Sequence, residues 1–194
     1  SLTLANTLWL LSLHPEIEAR LREELAPLEG ELPLERLDSL PLLDAVLKET
    51  LRLRPPAWIV AREADQTCQL GPYAVEKGTQ IYMSQYLLQR DPRWFSEPER
   101  FLPDRWLDGS CDTLPRFAYF PFGGGPRICI GNHFALMELK IVLVTLLQHA
   151  RFTHRAGHEV EFRPSVTLRP TNGMPMRIEK LEHAGHSVAT AHGA

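Results

Sequence analysis

The stretch that most constrains this sequence is Phe122-Gly-Gly-Gly-Pro-Arg-Ile-Cys-Ile-Gly131, which runs without a linker into the apolar segment 132–149. Apolar residues recur there at helical spacing, interrupted by Glu138 and Lys140, so the spacing predicts a core helix directly after a flexible loop. That junction carries a single thiol, Cys129, where a helix dipole and free backbone N–H groups favour the thiolate. Such a group suits a metal ligand or a nucleophile, although a lone cysteine in a glycine-rich turn is more often structural. The glycines satisfy neither the phosphate-loop pattern nor the dinucleotide pattern, because Ile128 and Cys129 stand where those motifs need glycine. A cysteine-protease reading fares no better, since His133 is a poor partner with no evident orienting group.

The remaining pattern reads as mainly α with small β-sheets. Residues 2–13 and 15–25 are expected to be helices, the second opening on Pro15, with a linking loop over 27–33. A third helix is expected from a cap at Asp38 or Ser39, carrying Leu42, Leu43, Val46, Leu47 and Leu51 on one face and ending at Pro55-Pro56. On it Glu49 and Arg52 lie one turn apart. Short strands are expected within 58–83, with a turn at Lys77-Gly78, and a short helix near Gln85. Residues 91–122 read as a long irregular stretch packed by its aromatics. Strands are expected at 160–162, 166–168 and 176–178, with Thr171-Asn172-Gly173 as a hairpin tip. The tail, 181–194, is expected to be disordered.

Composition narrows the function classes. Lys and Arg total 21 against 24 Asp and Glu among 194 residues, a net charge of -3, so no global field attracts nucleic acid or an anionic membrane. Trp94, Phe95, Phe101, Trp106, Phe117, Tyr119 and Phe120 have no accompanying basic run, which favours packing over base stacking and argues for no nucleic acid partner. Cys68, Cys111 and Cys129 form neither a disulfide framework nor a C-x-x-C pair, and Cys68 and Cys111 read as structural. His149, His154, His158, His183, His186 and His192 read as solvent histidines. The apolar opening lacks the basic start and cleavage site of a signal peptide, and no run reaches the roughly 18 to 20 apolar residues that span a bilayer, so a soluble, cytoplasmic chain is expected.

The decapeptide at 122–131 has the form F-x-x-G-x-R-x-C-x-G, and in this it resembles the haem-binding loop of the cytochrome P450s. Two further motifs follow the same resemblance in the right order: Glu49-Thr-Leu-Arg52 matches E-x-x-R, and Phe101-Leu-Pro-Asp-Arg-Trp106 resembles F-x-P-x-R-[FW]. Pro98-Glu-Arg-Phe101 is an alternative placement, but it lies farther from the loop and lacks the preceding F-x, which favours Arg105 over Arg100. Alone, E-x-x-R is usually an exposed ion pair of slight specificity. Three ordered motifs are specific.

The resemblance implies the C-terminal part of the P450 fold over residues 1–180, as the haem-binding portion of a monooxygenase domain. It implies Cys129 as the axial thiolate on the iron of haem b, whose electron donation favours O–O cleavage. Gly125 and Gly131 would let backbone approach the porphyrin, Phe122 would pack against it, and Arg127 and Arg62 would pair with its propionates. Glu49, Arg52 and Arg105 would form a buried structural network. Ala57, Trp58, Ile59, Val60 and Met174 fall in segments that line the family's substrate pocket, which fits a lipophilic small molecule. The implied activity inserts one atom of O2 into that substrate, using NAD(P)H-derived electrons delivered by a ferredoxin, flavodoxin or flavoprotein reductase. Arg116 and Lys140 are candidates for steering such a partner. The family's oxygen-activating acid-alcohol motif would fall just ahead of Ser1, and neither Ser1 nor Thr3 replaces it. The alternative is therefore a haem-binding or structural module without oxygenase activity.

Overall fold

Pro15 at the first turn, followed by Glu16 and Glu18 near the positive end of the helix dipole, starts the helix that organises the others. The computed structural model describes residues 1–28 and 34–181. Helix α1 (Leu2–Leu13) and helix α2 (Pro15–Leu25) meet at His14, whose ring lies 5.1 Å from that of Phe101. Together with α3 (Pro41–Leu53) they surround a core that includes Leu11, Leu21, Leu43, Val46 and Leu47. A four-residue helix, α4 (Gln85–Leu88), precedes α5 (Asn132–His149), which adds Leu143, Val144 and Leu147 to the same core.

Helix ends leave backbone groups without intrahelical partners, and α2 supplies two of the missing partners from a distance. The expected local cap of α3 is not used: the helix begins at Pro41, and both carboxylate oxygens of Glu24 accept from the N–H groups of Leu42 and Leu43, at 2.8 and 2.9 Å. Ser39 instead donates to Arg36 O within the 3-10 turn Leu34–Ser39, and Asp38 pairs with Lys140. Two residues before Glu24, Arg22 donates to the carbonyls of Leu147 and Ala150 at the end of α5. A cation at that end also complements the dipole.

Lys140 on α5 does not stand free to steer a partner. It is 9% exposed and bonds to Asp44 at 2.8 Å, Asp38 at 3.2 Å and Leu37 O at 3.3 Å. Burial alone would lower its pKa, but the two carboxylates outweigh burial and raise it. Arg116 is exposed, with its guanidinium over the ring of Phe117.

The strands form four separate antiparallel pairs among the described residues. β1 (Val60–Glu63) pairs with β4 (Gln80–Met83) in a register that sets Val60 opposite Met83 and Arg62 opposite Ile81. Between them β2 (Cys68–Leu70) and β3 (Tyr73–Val75) make an exposed hairpin. β5 (Ala150–His154) follows α5 directly and pairs with β8 (Met176–Lys180), while β6 (Phe162–Pro164) pairs with β7 (Leu168–Pro170). This corrects the expected C-terminal hairpin. β6 and β7 start two residues later than expected while β8 starts where expected, β5 was not anticipated, and Thr171-Asn172-Gly173 joins two different sheets instead of forming a tip. The side chain of Asn172 bonds to Glu159 O and Glu161 N, which folds this connection back on the chain before β6.

Among the histidines, His149 is exposed, whereas His154 and His158 are half-buried and placed against Ser12 O and Gly173 O, each at 3.2 Å. The remaining three, His183, His186 and His192, lie outside the described residues. So do residues 29–33 of the expected linking loop and the expected disordered tail, apart from Leu181, whose N–H donates to His149 O.

Candidate functional site

The amphipathic face of α3 places Glu49 and Arg52 inward, both fully buried. Glu49 accepts five hydrogen bonds: two from Arg52 at 2.8 Å each, one from Arg105 Nε at 3.2 Å, one from Trp106 Nε1 at 2.9 Å and one from Leu102 N at 2.9 Å. Arg52 uses its other donors on the carbonyls of Gln89, Pro98 and Arg100. Arg105 adds Ser96 O at 2.8 Å. One carboxylate and two guanidiniums thus clamp the irregular stretch 89–106 onto α3, and each desolvated charge has its partners. Arg100 lies outside the clamp through its side chain, which pairs with Glu97 at the surface.

Gln89, whose role sequence reading missed, extends the clamp toward the cysteine loop. Its Nε2 donates to Leu51 O and Arg52 O, each at 3.1 Å, and its Oε1 accepts from Phe120 N at 3.0 Å. The loop then turns at Gly123 and Gly125, with φ of +75° and +68°, a region that side chains disfavour. At Gly124 a Cβ would stand 2.5 Å from the ring of Phe117. Gly131 has no such requirement within the chain; it caps α5, and a Cβ there would meet open space.

Cys129 is exposed, and its N–H donates to Phe122 O at 3.0 Å, which closes the turn between the two residues. The helix starts three residues later, at Asn132, which puts Cys129 in the loop ahead of the first turn instead of at the helix start. Cys68 is exposed on β2, and burial pushes the half-buried thiol of Cys111 up to about 11.

A cavity of about 580 Å³ opens beside Cys129. Its wall combines Ala57, Val60 and Arg62 from β1 and its approach, Phe122, Arg127 and Cys129 from the loop, and apolar Leu51, Ala135 and Leu139 from α3 and α5. Thr3 of α1 and Gln85 of α4 also line it. Among the described residues, neither Arg62 nor Arg127 has a carboxylate partner. Three expected pocket residues are not brought into this wall. Trp58 donates its indole N–H to Ser165 O at 2.7 Å, Ile59 lies beside it in the chain, and Met174 is half-buried elsewhere.

The sequence model described as Cytochrome P450 matches residues 1–176. The chain belongs to the cytochrome P450 family. Within this family of haem-thiolate monooxygenases it is 36% identical over 179 residues to "Cytochrome P450 4V2" of Homo sapiens, covering 90% of this chain and 34% of that protein. It is 39% identical over 185 residues to "Probable cytochrome P450 4s3" of Drosophila melanogaster, covering 95% of this chain and 36% of that protein. The crystal structure of a cytochrome P450, CYP102L1, superposes with a TM-score of 0.85 at 27% identity, covering 93% of this chain and 42% of that one. The chain therefore spans about a third of the length of these curated P450 relatives. Among the described residues no helix is long and apolar enough to cross a membrane.

The haem that the P450 family implies is compatible with the residues present. The cavity offers one thiol, a largely apolar wall and two guanidiniums without carboxylate partners, a donor set that matches an iron porphyrin with two carboxylates.

Proposed function

We propose that this chain is the C-terminal haem-binding portion of a P450 monooxygenase, residues 1–180, which inserts one atom of O2 into a lipophilic organic substrate. Electrons derived from NAD(P)H would arrive through a ferredoxin, flavodoxin or flavoprotein reductase. The observation that carries this reading is the convergence of Cys129, Arg62 and Arg127 on one apolar cavity.

When bound, haem supplies the oxygen and electron chemistry, and the protein tunes and positions it. Cys129 would be the metal ligand, and the hydrogen bond from its N–H to Phe122 O closes the turn that carries it. Arg62, on a strand braced by β4, and Arg127, in the 3-10 turn Gly125–Arg127, pair with the two propionates. Phe122, Leu51 and Leu139 exclude water from the ring face. Gly125 and Gly131 keep side chains off the ring. Glu49, Arg52, Arg105 and Gln89 stay out of the chemistry and hold the loop. Ala57 and Val60 provide the apolar approach for substrate.

The reading is tested by titrating haemin into the full chain, reducing it under carbon monoxide and following the Soret band. A shift to the far-red position of thiolate ligation, lost in Cys129→Ser, is the expected result. In Arg62→Gln and Arg127→Gln haemin affinity is expected to fall by about tenfold or more each, the weight of one charge-assisted hydrogen bond. Folded protein with no thiolate spectrum, or a spectrum that survives in Cys129→Ser, would refute it.

A further inference from the structure

Two glutamines on α4 and its end, four residues apart and both fully buried, have opposite fates. Gln89 spends both amide atoms on three backbone partners. Gln85 spends neither: its Nε2 and Oε1 are buried without a hydrogen-bond partner among the described residues, and the residue lines the cavity beside Cys129. An amide left so is destabilising, because its desolvated donor and acceptor regain no partner, and an apolar side chain of similar shape would avoid that cost.

The backbone around Gln85 is held firmly. Ser84 Oγ and Tyr86 N both donate to Trp58 O, at 3.0 and 3.1 Å, so the residues on either side of Gln85 are bound to the segment that leads into β1. Three residues before Ser84, β4 is paired with β1 at the level where Arg62 opposes Ile81. Gln85, at the start of the helix that follows β4, and Arg62, on the paired strand β1, therefore line the same cavity, one bringing an unpartnered amide and the other a guanidinium without a carboxylate partner among the described residues.

We propose that Gln85 is an anchoring residue for the carboxylate end of the cofactor, its Nε2 donating to the propionate that Arg62 pairs with and its Oε1 accepting from the Arg62 guanidinium. This rests on the haem reading above. The arrangement satisfies both orphaned atoms at once, and a neutral amide adds no negative charge beside the carboxylate, as glutamate would. Gln85 thus costs stability in the empty protein and returns it on binding, which separates it from a residue that merely packs.

The test uses Gln85→Met and Gln85→Glu in the full chain, with haemin and haem dimethyl ester as probes. Expected is a loss of about tenfold or more in haemin affinity in both variants. The thermal midpoint of the haem-free Gln85→Met protein should equal or exceed that of the wild type. Affinity for the ester, which carries no carboxylate charge, should be nearly the same in all three proteins. Unchanged haemin affinity, a parallel loss of haem-free stability and affinity in Gln85→Met, or equal weakening toward both probes overturns the inference while the haem reading stands. A wild type with no Cys129-dependent Soret band overturns both.

Discussion

At the residue scale, the arithmetic of the buried clamp sets its sensitivity. Among the described residues Glu49 is the one carboxylate paired with Arg52 and Arg105, and its removal leaves two buried guanidiniums without that anion. Breaking such a set typically costs about 3 to 5 kcal/mol. Glu49→Ala is therefore expected to lose about that much stability in urea unfolding and to fail to retain haem; stability within 1 kcal/mol of wild type with normal retention would refute this. Glu49, Arg52 and Arg105 were legible only through the resemblance to the P450 motifs, because an E-x-x-R pair by itself reads as an exposed ion pair. Gln85 and Gln89 were not. An amide in a short helix reads as a solvent residue, and the groups that define Gln89 lie 31 to 38 residues away in the chain. Lys140 misled for the opposite reason: a lysine in an apolar helix reads as a surface charge until its neighbours Asp38 and Asp44 are known.

At the element scale, helices α1, α2 and α5 span the residues expected of them, while the ends of elements depend on distant partners. No local pattern announces that Glu24 caps α3 or that Arg22 closes α5. The same helix carries Arg20, which bonds to Asp104 at 2.6 and 2.9 Å and ties α2 to the 3-10 turn Pro103–Trp106. That hydrogen-bonded pair holds the Asp104 carboxyl below its ordinary pKa. A carboxylate depressed on folding stabilises the protein above its unfolded pKa of about 3.9 and loses that contribution as pH falls through its folded value. Since both side chains are about half exposed, screening limits the effect to about 0.5 kcal/mol. The difference in urea midpoint between wild type and Asp104→Asn should thus be present near neutrality and shrink below about pH 4. A difference that persists to the acid limit, or that is unaffected by high salt, would show that it does not arise from the ion pair.

At the scale of the whole molecule, stability is unevenly shared, and the site spans that division. Leu43, Val46, Leu143 and Val144 are fully buried in the core of α1, α2, α3 and α5, whereas β2 and β3 are exposed along nearly their whole length. The cysteine loop lies between these extremes: Phe120 is buried, Ile128 is half exposed and Ile130 is fully exposed. Opening free energies follow burial and contact density, so backbone hydrogen exchange is expected to be slowest in α3 and the core-facing half of α5, fastest in β2 and β3, and intermediate over 120–131. A ligand that binds only the folded cavity protects the residues that must order around it. Under the haem reading, haemin should slow exchange over 57–63 and 120–131 and leave β2 and β3 unchanged. Uniform protection over the whole chain would mean that haemin acts by global stabilisation alone, and protection confined to β2 and β3 would place the binding site away from Cys129.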